Sequence, residues 1–156
     1  MSDESVPSVT PKELDGLLRA REPVTVLDVR DRDEFERWHV DGPAVEAVQA
    51  PHAKFITARI TGGVAGYAAD LGIDASDHVV VVCGRGEASR DVAGMLNEAG
   101  LDAANLADGM AGWAKLFLAA PVPGPDDGPT VVQYRRPSSG CLSYLVVDGR
   151  RAAAAD

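Results

Sequence analysis

Short apolar segments alternate with amphipathic segments along the first two thirds of the chain. The four valines at 79–82 are typical of a strand buried on both faces of a parallel sheet. Shorter runs predict further strands at residues 24–27, 45–48 and 103–106. Helices are predicted in the intervening segments, at 33–39, from 51 onward, at 64–71, at 87–99 and around Met110. This alternation predicts an α/β fold, with a doubly wound, mostly parallel sheet of about five strands and helices on both faces.

A further helix is predicted to begin near the N-terminus. Thr10 can cap this helix, Pro11 suits its first turn, and Glu13 completes a capping box. Residues 1–8, which precede it, begin with a polar and acidic stretch. We predict a disordered tail there and no secretory leader.

The pattern changes after the last predicted helix. Four prolines and two glycines fall between Pro121 and Pro129, so residues 121–130 are predicted to be a linker. It would separate a domain at 9–120 from a β-type extension at 131–156, in which residues 131–134 and 141–147 are the strand-like runs. Two or three strands do not form an independent domain. The extension therefore either folds onto the first domain or begins a second one.

The net charge of the chain limits the classes of partner that it is expected to bind. The 156 residues include 24 acidic and 15 basic side chains, a formal net charge of −9. Nucleic acids and anionic membranes attract basic surfaces, so we expect neither as a general partner. Only three of the basic residues are lysines, and acidic, lysine-poor surfaces suit high salt. A halophilic source and an ordinary acidic protein are the two interpretations.

The cysteine content and the hydropathy indicate the compartment. The two cysteines, Cys83 and Cys141, do not suggest a disulfide framework, and no apolar run is long enough to span a membrane. We therefore expect a cytoplasmic protein in a reducing setting. A free reactive thiol is plausible there.

Cys83 is the strongest candidate for chemistry. It follows the valine strand directly and begins a loop with Gly84 and Gly86 that leads into a predicted helix. Ligands of open α/β sheets bind at such carboxyl ends of strands, and a helix N-terminus stabilises an anion. Such surroundings can lower a cysteine pKa from about 8.5 to roughly 3.5–7.5. The alternative is a small buried apolar residue that ends a strand.

Three segments together resemble the rhodanese-like (sulfurtransferase) domain. They are Leu27-Asp28-Val29-Arg30 with the following Glu34, Phe35, His39 and Gly42; the strand and loop at 80–86; and the segment at 105–113 that contains Asp108-Gly109 and Trp113. The resemblance covers about residues 9–118. It implies that the Cys83 thiolate takes the outer sulfur of a small sulfur-containing anion or a persulfide donor. The resulting persulfide would pass that sulfur to a thiol or to cyanide, without a cofactor.

The resemblance also suggests roles for the neighbours of Cys83. Arg85 would meet an anionic donor, or be a solvated surface arginine. Ser89 would cap the helix or donate a hydrogen bond to the persulfide. Asp28 and Arg30 would form an ion pair that supports the loop. His39 and Trp113 are expected to be structural, and no metal site is predicted because His52 and His78 lie outside any ligand spacing.

The loop departs from the family pattern in one respect. Many active members carry an arginine five residues after the cysteine, where this chain has Ala88 preceded by Glu87. The next arginine is Arg90, which could only support the site. The loop is therefore less cationic than usual, which would favour a persulfide donor over thiosulfate. A slow or non-catalytic sulfur carrier is the alternative.

A phosphatase or arsenate reductase is a third possibility, because such enzymes use a Cys-x5-Arg loop. The spacing from Cys83 to Arg90 is one residue too long for that loop. We therefore rank this hypothesis below the other two.

The segment at 133–146 resembles the opening β-hairpin of metallo-β-lactamase-fold proteins. The resemblance implies that the chain is the first half of a protein with such a domain downstream. In that case Cys141 is a strand residue without a redox role.

Overall fold

The computed structural model describes residues 5–156, which form six helices and nine strands. In chain order these are β1 (Ser8–Val9), α1 (Pro11–Arg19), β2 (Val24–Asp28), α2 (Arg32–Arg37), β3 (Val45–Gln49), α3 (His52–Ile60), α4 (Val64–Asp70), β4 (His78–Val82), α5 (Glu87–Glu98), β5 (Asp102–Leu106), α6 (Gly109–Lys115), β6 (Leu118–Val122), β7 (Thr130–Arg136), β8 (Cys141–Asp148) and β9 (Arg151–Ala155). The described part of the chain divides into two units, the first ending at residue 112 and the second at 113–156.

The first unit contains a five-stranded sheet in the order β1-β5-β4-β2-β3, and every strand pair in it is parallel. This confirms the predicted fold class. All five residues of β2 are buried, and so are 79–82 of β4. Because successive side chains of a strand point to opposite faces, both faces of these strands are covered. The β-branched valines suit this position because they pack well on a pleated surface.

The helices of the first unit begin where the sequence predicts. The capping box of α1 is present: the Thr10 hydroxyl accepts from the Glu13 N–H at 3.2 Å, and the Glu13 carboxylate accepts from the Thr10 N–H at 2.8 Å. Helix α5 packs its apolar face into the core through Val92, Met95 and Leu96.

The order of the strands creates a crevice. After β2 the chain adds β3 on one side, and it then returns to place β4 on the other side of β2. The two crossovers leave in opposite directions from the carboxyl ends of β2 and β4. This is the switch point at which open α/β sheets bind their ligands.

The N-terminal tail is shorter than predicted. Ser8 and Val9 form β1, which pairs with Asn105 and Leu106 of β5, and the Pro7 carbonyl accepts from the Asn105 N–H at 2.8 Å. Val6 packs against the core. The open edge of β5 supplies backbone partners that the polar sequence does not reveal. Residues 1–4 of the predicted tail lie outside the described residues.

The second unit is a four-stranded antiparallel sheet in the order β6-β7-β8-β9. The predicted linker at 121–130 is a hairpin connection instead. Pro121 and Val122 belong to β6, Thr130 begins β7, and Pro121 lies opposite Val132. Proline is tolerated there because β6 is an edge strand and its outer side needs no N–H donor.

Candidate functional site

The candidate site lies where β2 and β4 end side by side. The register pairs Asp28 with Val82, and the Val29 N–H donates to the Val82 carbonyl at 2.8 Å. Cys83 follows immediately, and its side chain belongs to the hydrophobic core with only 6% of the residue exposed. The sequence prediction of a cysteine at a strand end, in front of a helix, therefore agrees with the structure.

Two hydrogen bonds converge on the Cys83 sulfur. The Gly86 N–H donates to Sγ at 3.0 Å, and the Ser89 hydroxyl lies 3.1 Å from it. Gly86 precedes α5 with a φ of +98°, a left-handed conformation that favours glycine. This turn folds the loop back, so that its N–H groups face the sulfur. Ser89, wholly buried, contacts the sulfur rather than capping the helix, because the α5 N-cap is Gly86.

These contacts determine the acidity of the thiol. Burial by itself raises the pKa of Cys83, because a thiolate is poorly solvated in the core. The Ser89 hydroxyl and the backbone N–H groups of Ser89, Arg85 and Gly86 act in the opposite direction, and together they outweigh burial. The net pKa lies below the ordinary value for a thiol. A larger fraction of Cys83 is therefore thiolate, the nucleophilic form, than of a cysteine with an ordinary pKa.

Helix α6 fixes the other side of the loop. The Met110 N–H donates to the Cys83 carbonyl at 2.8 Å, and the Ala111 N–H donates to the Gly84 carbonyl at 3.0 Å. Gly109 lies so close that a Cβ atom there would be 2.3 Å from the Cys83 carbonyl oxygen. The loop carbonyls thus point away from the sulfur and toward α6, which leaves its N–H groups free for the sulfur.

Asp28 and Arg30 form the predicted ion pair. The Arg30 guanidinium binds the Asp28 carboxylate at 2.6 Å, and the side chains are 8% and 2% exposed. The Arg30 guanidinium also donates to the carbonyl of Trp38, the residue that ends α2, at 2.7 Å. Its N–H groups are thus bound by Asp28 and by the end of α2. Because these bonds fix the segment after β2, the pair is a support for the site and not a free cation in it.

A cleft of about 370 Å³ opens above the cysteine. Cys83, Gly84, Arg85, Glu87 and Ala88 line it from the β4 side, and Val29, Arg30, Asp31, Glu34, Pro51, His52 and Ala53 line it from the β2 and α3 side. Arg90 does not line this cleft. It lies beside Arg59, Asp91 and Glu98 in a neighbouring hollow, so the structure does not bring it to the cysteine.

Sequence reasoning missed several residues of the site. His52 lines the cleft, and its Nε2 lies 2.9 Å from the Asp91 carboxylate. Asn105, 7% exposed, accepts from the Ser89 hydroxyl at 2.6 Å. His52 arrives from α3 and Asn105 from β5. For Asn105 the sequence did offer a signal, because it is the first residue of the segment 105–113 that resembles the family. Within residues 5–156, no group of three or more His, Cys, Asp or Glu side chains could hold a metal ion.

The fold and the site define an α/β protein with an activated cysteine at the switch point of its sheet. The model of the Rhodanese-like domain matches residues 10–116, and the chain therefore belongs to the rhodanese-like family.

Solved structures agree with this membership. The Rhodanese-like domain protein of Staphylococcus aureus is 25% identical, with a TM-score of 0.53 over 69% of this chain and 90% of that one. The thiosulfate sulfurtransferase of Pseudomonas aeruginosa is also 25% identical, with a TM-score of 0.53 over 72% of this chain and 19% of that one. The human single-domain sulfurtransferase TSTD1, 24% identical, shares the fold, with a TM-score of 0.53 over 70% of this chain and 96% of that one.

No curated protein sequence matches the chain. Across the described residues, none of the helices has the length and apolar character needed to cross a bilayer.

Proposed function

We propose that the protein is a sulfurtransferase that carries sulfane sulfur on Cys83. The observation that carries this proposal is the buried thiol whose pKa is lowered by the converging donors of Gly86 and Ser89. A thiolate with fixed donors around it is a nucleophile prepared for covalent catalysis. An outer sulfur bonded to Cys83 would extend into the cleft that Cys83, Gly84 and Arg85 line, where the loop amides would stabilise its negative charge.

The proposed cycle has two displacements. The Cys83 thiolate attacks the outer sulfur of the donor, the donor's sulfur–sulfur bond breaks, and the leaving group departs with the electron pair, as sulfite from thiosulfate or as a thiolate from a persulfide. An acceptor thiolate or cyanide then attacks the outer sulfur of the Cys83 persulfide. That step breaks the new sulfur–sulfur bond and returns Cys83 to the thiolate, so no net oxidant or reductant is needed.

The charges around the cleft favour a persulfide donor over thiosulfate. Arg85 is the cation available in its lining, since Arg30 is bound to Asp28 and the His52 imidazole to Asp91. The carboxylates of Asp31, Glu34 and Glu87 in the same lining oppose its charge. Thiosulfate carries its two negative charges on the reacting group itself, whereas a protonated persulfide carries none there, so these carboxylates repel thiosulfate more strongly at the cysteine. We expect kcat/KM to be higher for glutathione persulfide than for thiosulfate, and Glu87→Gln to improve thiosulfate more than the persulfide.

The direct test is the mass of the protein after incubation with each donor. We expect wild type to gain one sulfur atom that cyanide removes, and Cys83→Ser to gain none. Cys141→Ser is the matched control, because Cys141 is the other free thiol among the described residues and is exposed. A wild-type protein that stays unmodified with both donors, or a Cys83→Ser variant that still transfers sulfur, would contradict the proposal.

A slow sulfur carrier is the second candidate, and Ala88 with Glu87 in the cleft lining favours it. In this alternative the persulfide forms but turns over slowly, unless it is used by a metallo-β-lactamase-fold hydrolase or persulfide dioxygenase downstream. Strands β7 and β8 pair as the antiparallel hairpin that this resemblance requires. A His-x-His-x-Asp-His motif in the reading frame after codon 156 would support this candidate, and a stop codon there would contradict it.

The phosphatase alternative loses support from the position of Arg90. Its side chain lines the neighbouring hollow and not the cleft above Cys83. The oxyanion clamp that a Cys-x5-Arg loop supplies is therefore missing. Hydrolysis of an aryl phosphate that depends on Cys83 would reverse this conclusion.

A further inference from the structure

The hydroxyl of Ser89 lies between two acceptors, and it can serve only one of them at a time. The hydroxyl oxygen is 2.6 Å from the side-chain oxygen Oδ1 of Asn105 and 3.1 Å from the Cys83 sulfur. A serine hydroxyl has one proton to donate. Ser89 is wholly buried and Asn105 is 7% exposed, so the side-chain carbonyl of Asn105 has little access to water as a replacement donor.

The backbone holds Asn105 firmly beside this hydroxyl. In the sheet, Asn105 pairs with Ser8 of β1 on one side and with Val81 of β4 on the other. The Asn105 backbone N–H donates to the Pro7 carbonyl at 2.8 Å. The Asn105 backbone carbonyl accepts from the Ser8 hydroxyl at 3.2 Å. Both neighbouring strands thus fix the backbone from which the Asn105 side chain extends, whereas the Ser89 hydroxyl can rotate about its C–O bond.

We propose that Asn105 is a positioning residue that competes with Cys83 for the hydroxyl proton of Ser89. In the thiol state the hydroxyl donates to Asn105, and its oxygen is free to accept from the thiol. In the thiolate state the hydroxyl turns to the negatively charged sulfur, and the Asn105 carbonyl loses its donor. Asn105 therefore stabilises the neutral thiol relative to the thiolate, and it reduces the stabilisation that the Ser89 hydroxyl gives to the Cys83 thiolate.

The same rotation has a place in the proposed sulfur transfer, on which this extension rests. In the persulfide the inner sulfur carries no charge and is a weak acceptor, so the hydroxyl returns to Asn105. When an acceptor removes the outer sulfur, negative charge develops on the inner sulfur and the hydroxyl turns back to it. Ser89 thus stabilises Cys83 as a leaving group at that step, while Asn105 keeps the hydroxyl ordered in the persulfide.

The test is the pH profile of Cys83 alkylation by iodoacetamide, which needs no sulfur donor. All variants carry Cys141→Ser, so that only one described thiol reacts. We expect Asn105→Leu, which keeps a similar volume without a carbonyl, to move the profile to lower pH. Below the midpoint the rate should rise about fivefold, the factor that one net hydrogen bond provides. Ser89→Ala should move the profile to higher pH.

Two further comparisons separate this role from a structural one. In the Ser89→Ala background, Asn105→Leu should leave the midpoint unchanged, because no hydroxyl remains to compete for. Asn97→Ala is the matched control: Asn97 binds both backbone groups of Ala103 on the same strand, at 2.9 Å each, without touching Ser89. It should lower stability and leave the profile in place. Asn105→Ala replaces Asn105→Leu if the leucine does not fit.

A midpoint that stays fixed or moves to higher pH in the Asn105 variants would overturn the proposal, and so would an Asn105 effect that survives Ser89→Ala. The proposed function is judged by a different result. A protein that shows these alkylation profiles but gains no sulfur would contradict the transferase and leave the role of Asn105 intact.

Discussion

The close approach of Gly109 to the loop after β4 makes a sharp prediction. A Cβ atom at this position would lie 2.3 Å from the Cys83 carbonyl oxygen, 2.8 Å from the Arg85 nitrogen and 2.9 Å from the Gly84 carbonyl carbon. These are backbone atoms, which cannot rotate away as a side-chain end can. Ordinary contacts begin at 3.4 Å, so the loop of Gly109→Ala must retreat by about 1 Å.

The cost of this substitution has two parts that controls can separate. Gly109 has a φ of +55°, and forcing alanine into the left-handed region costs about 1–2 kcal/mol. The clash with the backbone adds about 1–3 kcal/mol. Gly72 also has a positive φ, +80°, but no atom lies within 4 Å of its Cβ position. Gly72→Ala therefore measures the first part alone.

Two assays read the outcome. Urea unfolding followed by circular dichroism should give Gly109→Ala a lower free energy of unfolding than Gly72→Ala. The alkylation rate of Cys83 should fall strongly in Gly109→Ala only, since a 1 Å displacement of a reacting group can cost about a hundredfold in rate. Equal stabilities of the two variants, with unchanged reactivity at Cys83, would refute the reasoning.

Four further predictions concern other parts of the first unit and the surface. Asp28→Asn leaves the buried Arg30 charge without its carboxylate partner and should lower the free energy of unfolding in urea by about 3–5 kcal/mol. Glu36→Gln, at the exposed ion pair with Arg32, should lower it by less than about 0.5 kcal/mol. Thr10→Ala removes one half of the capping box and should cost about 1 kcal/mol in the same assay. The pKa of Cys83 is lower in the folded chain than in the unfolded chain, so the thiolate stabilises the fold at pH values above the ordinary thiol pKa. This contribution disappears as the pH falls through the lowered pKa. Cys83→Ala should therefore abolish this pH dependence of Tm. If the acidic composition reflects a halophilic source, Tm should rise steadily toward molar salt.

Each of these has an opposing result. Equal losses for the buried and the exposed pair would show that Asp28 is not the required partner of the Arg30 charge. A Thr10→Ala variant as stable as wild type would mean that α1 does not depend on its cap. A wild-type Tm that follows the Cys83→Ala variant across pH would contradict the lowered pKa, and a Tm insensitive to salt would contradict the halophilic interpretation.

Local patterns were sufficient to predict the first unit except for β1. The valine run at 79–82 and the periodic apolar positions of α5 report burial directly, because buried faces require apolar side chains wherever the chain folds. The cysteine at the strand end and the glycine turn after it were visible for the same reason. Gly84, Arg85, Glu87 and Ala88 line the cleft with Cys83. Gly86 and Ser89 contact its sulfur, and Arg90 lines a neighbouring hollow.

Contacts between distant segments could not be predicted in the same way. Strand β1 exists because β5 offers an open edge, and β6 accepts Pro121 because nothing pairs with its outer side. Strand β9 is rich in alanine, a residue with weak strand preference, and it is identified only by its pairing with β8. Asn105 reaches Ser89 only because β4 and β5 are adjacent.

The burial of the Cys83 sulfur also bears on which atom of a persulfide can be attacked. An acceptor thiolate that strikes the inner sulfur would expel hydrosulfide and leave a mixed disulfide on the protein, a dead end for transfer. The Cys83 residue is 6% exposed and Gly86 and Ser89 contact its sulfur, so that inner sulfur is shielded. An outer sulfur bonded to it would extend into the cleft that Cys83 lines. The fold would thereby impose a regiochemistry on the reaction: the atom that must be delivered is the one that solvent-borne nucleophiles can approach.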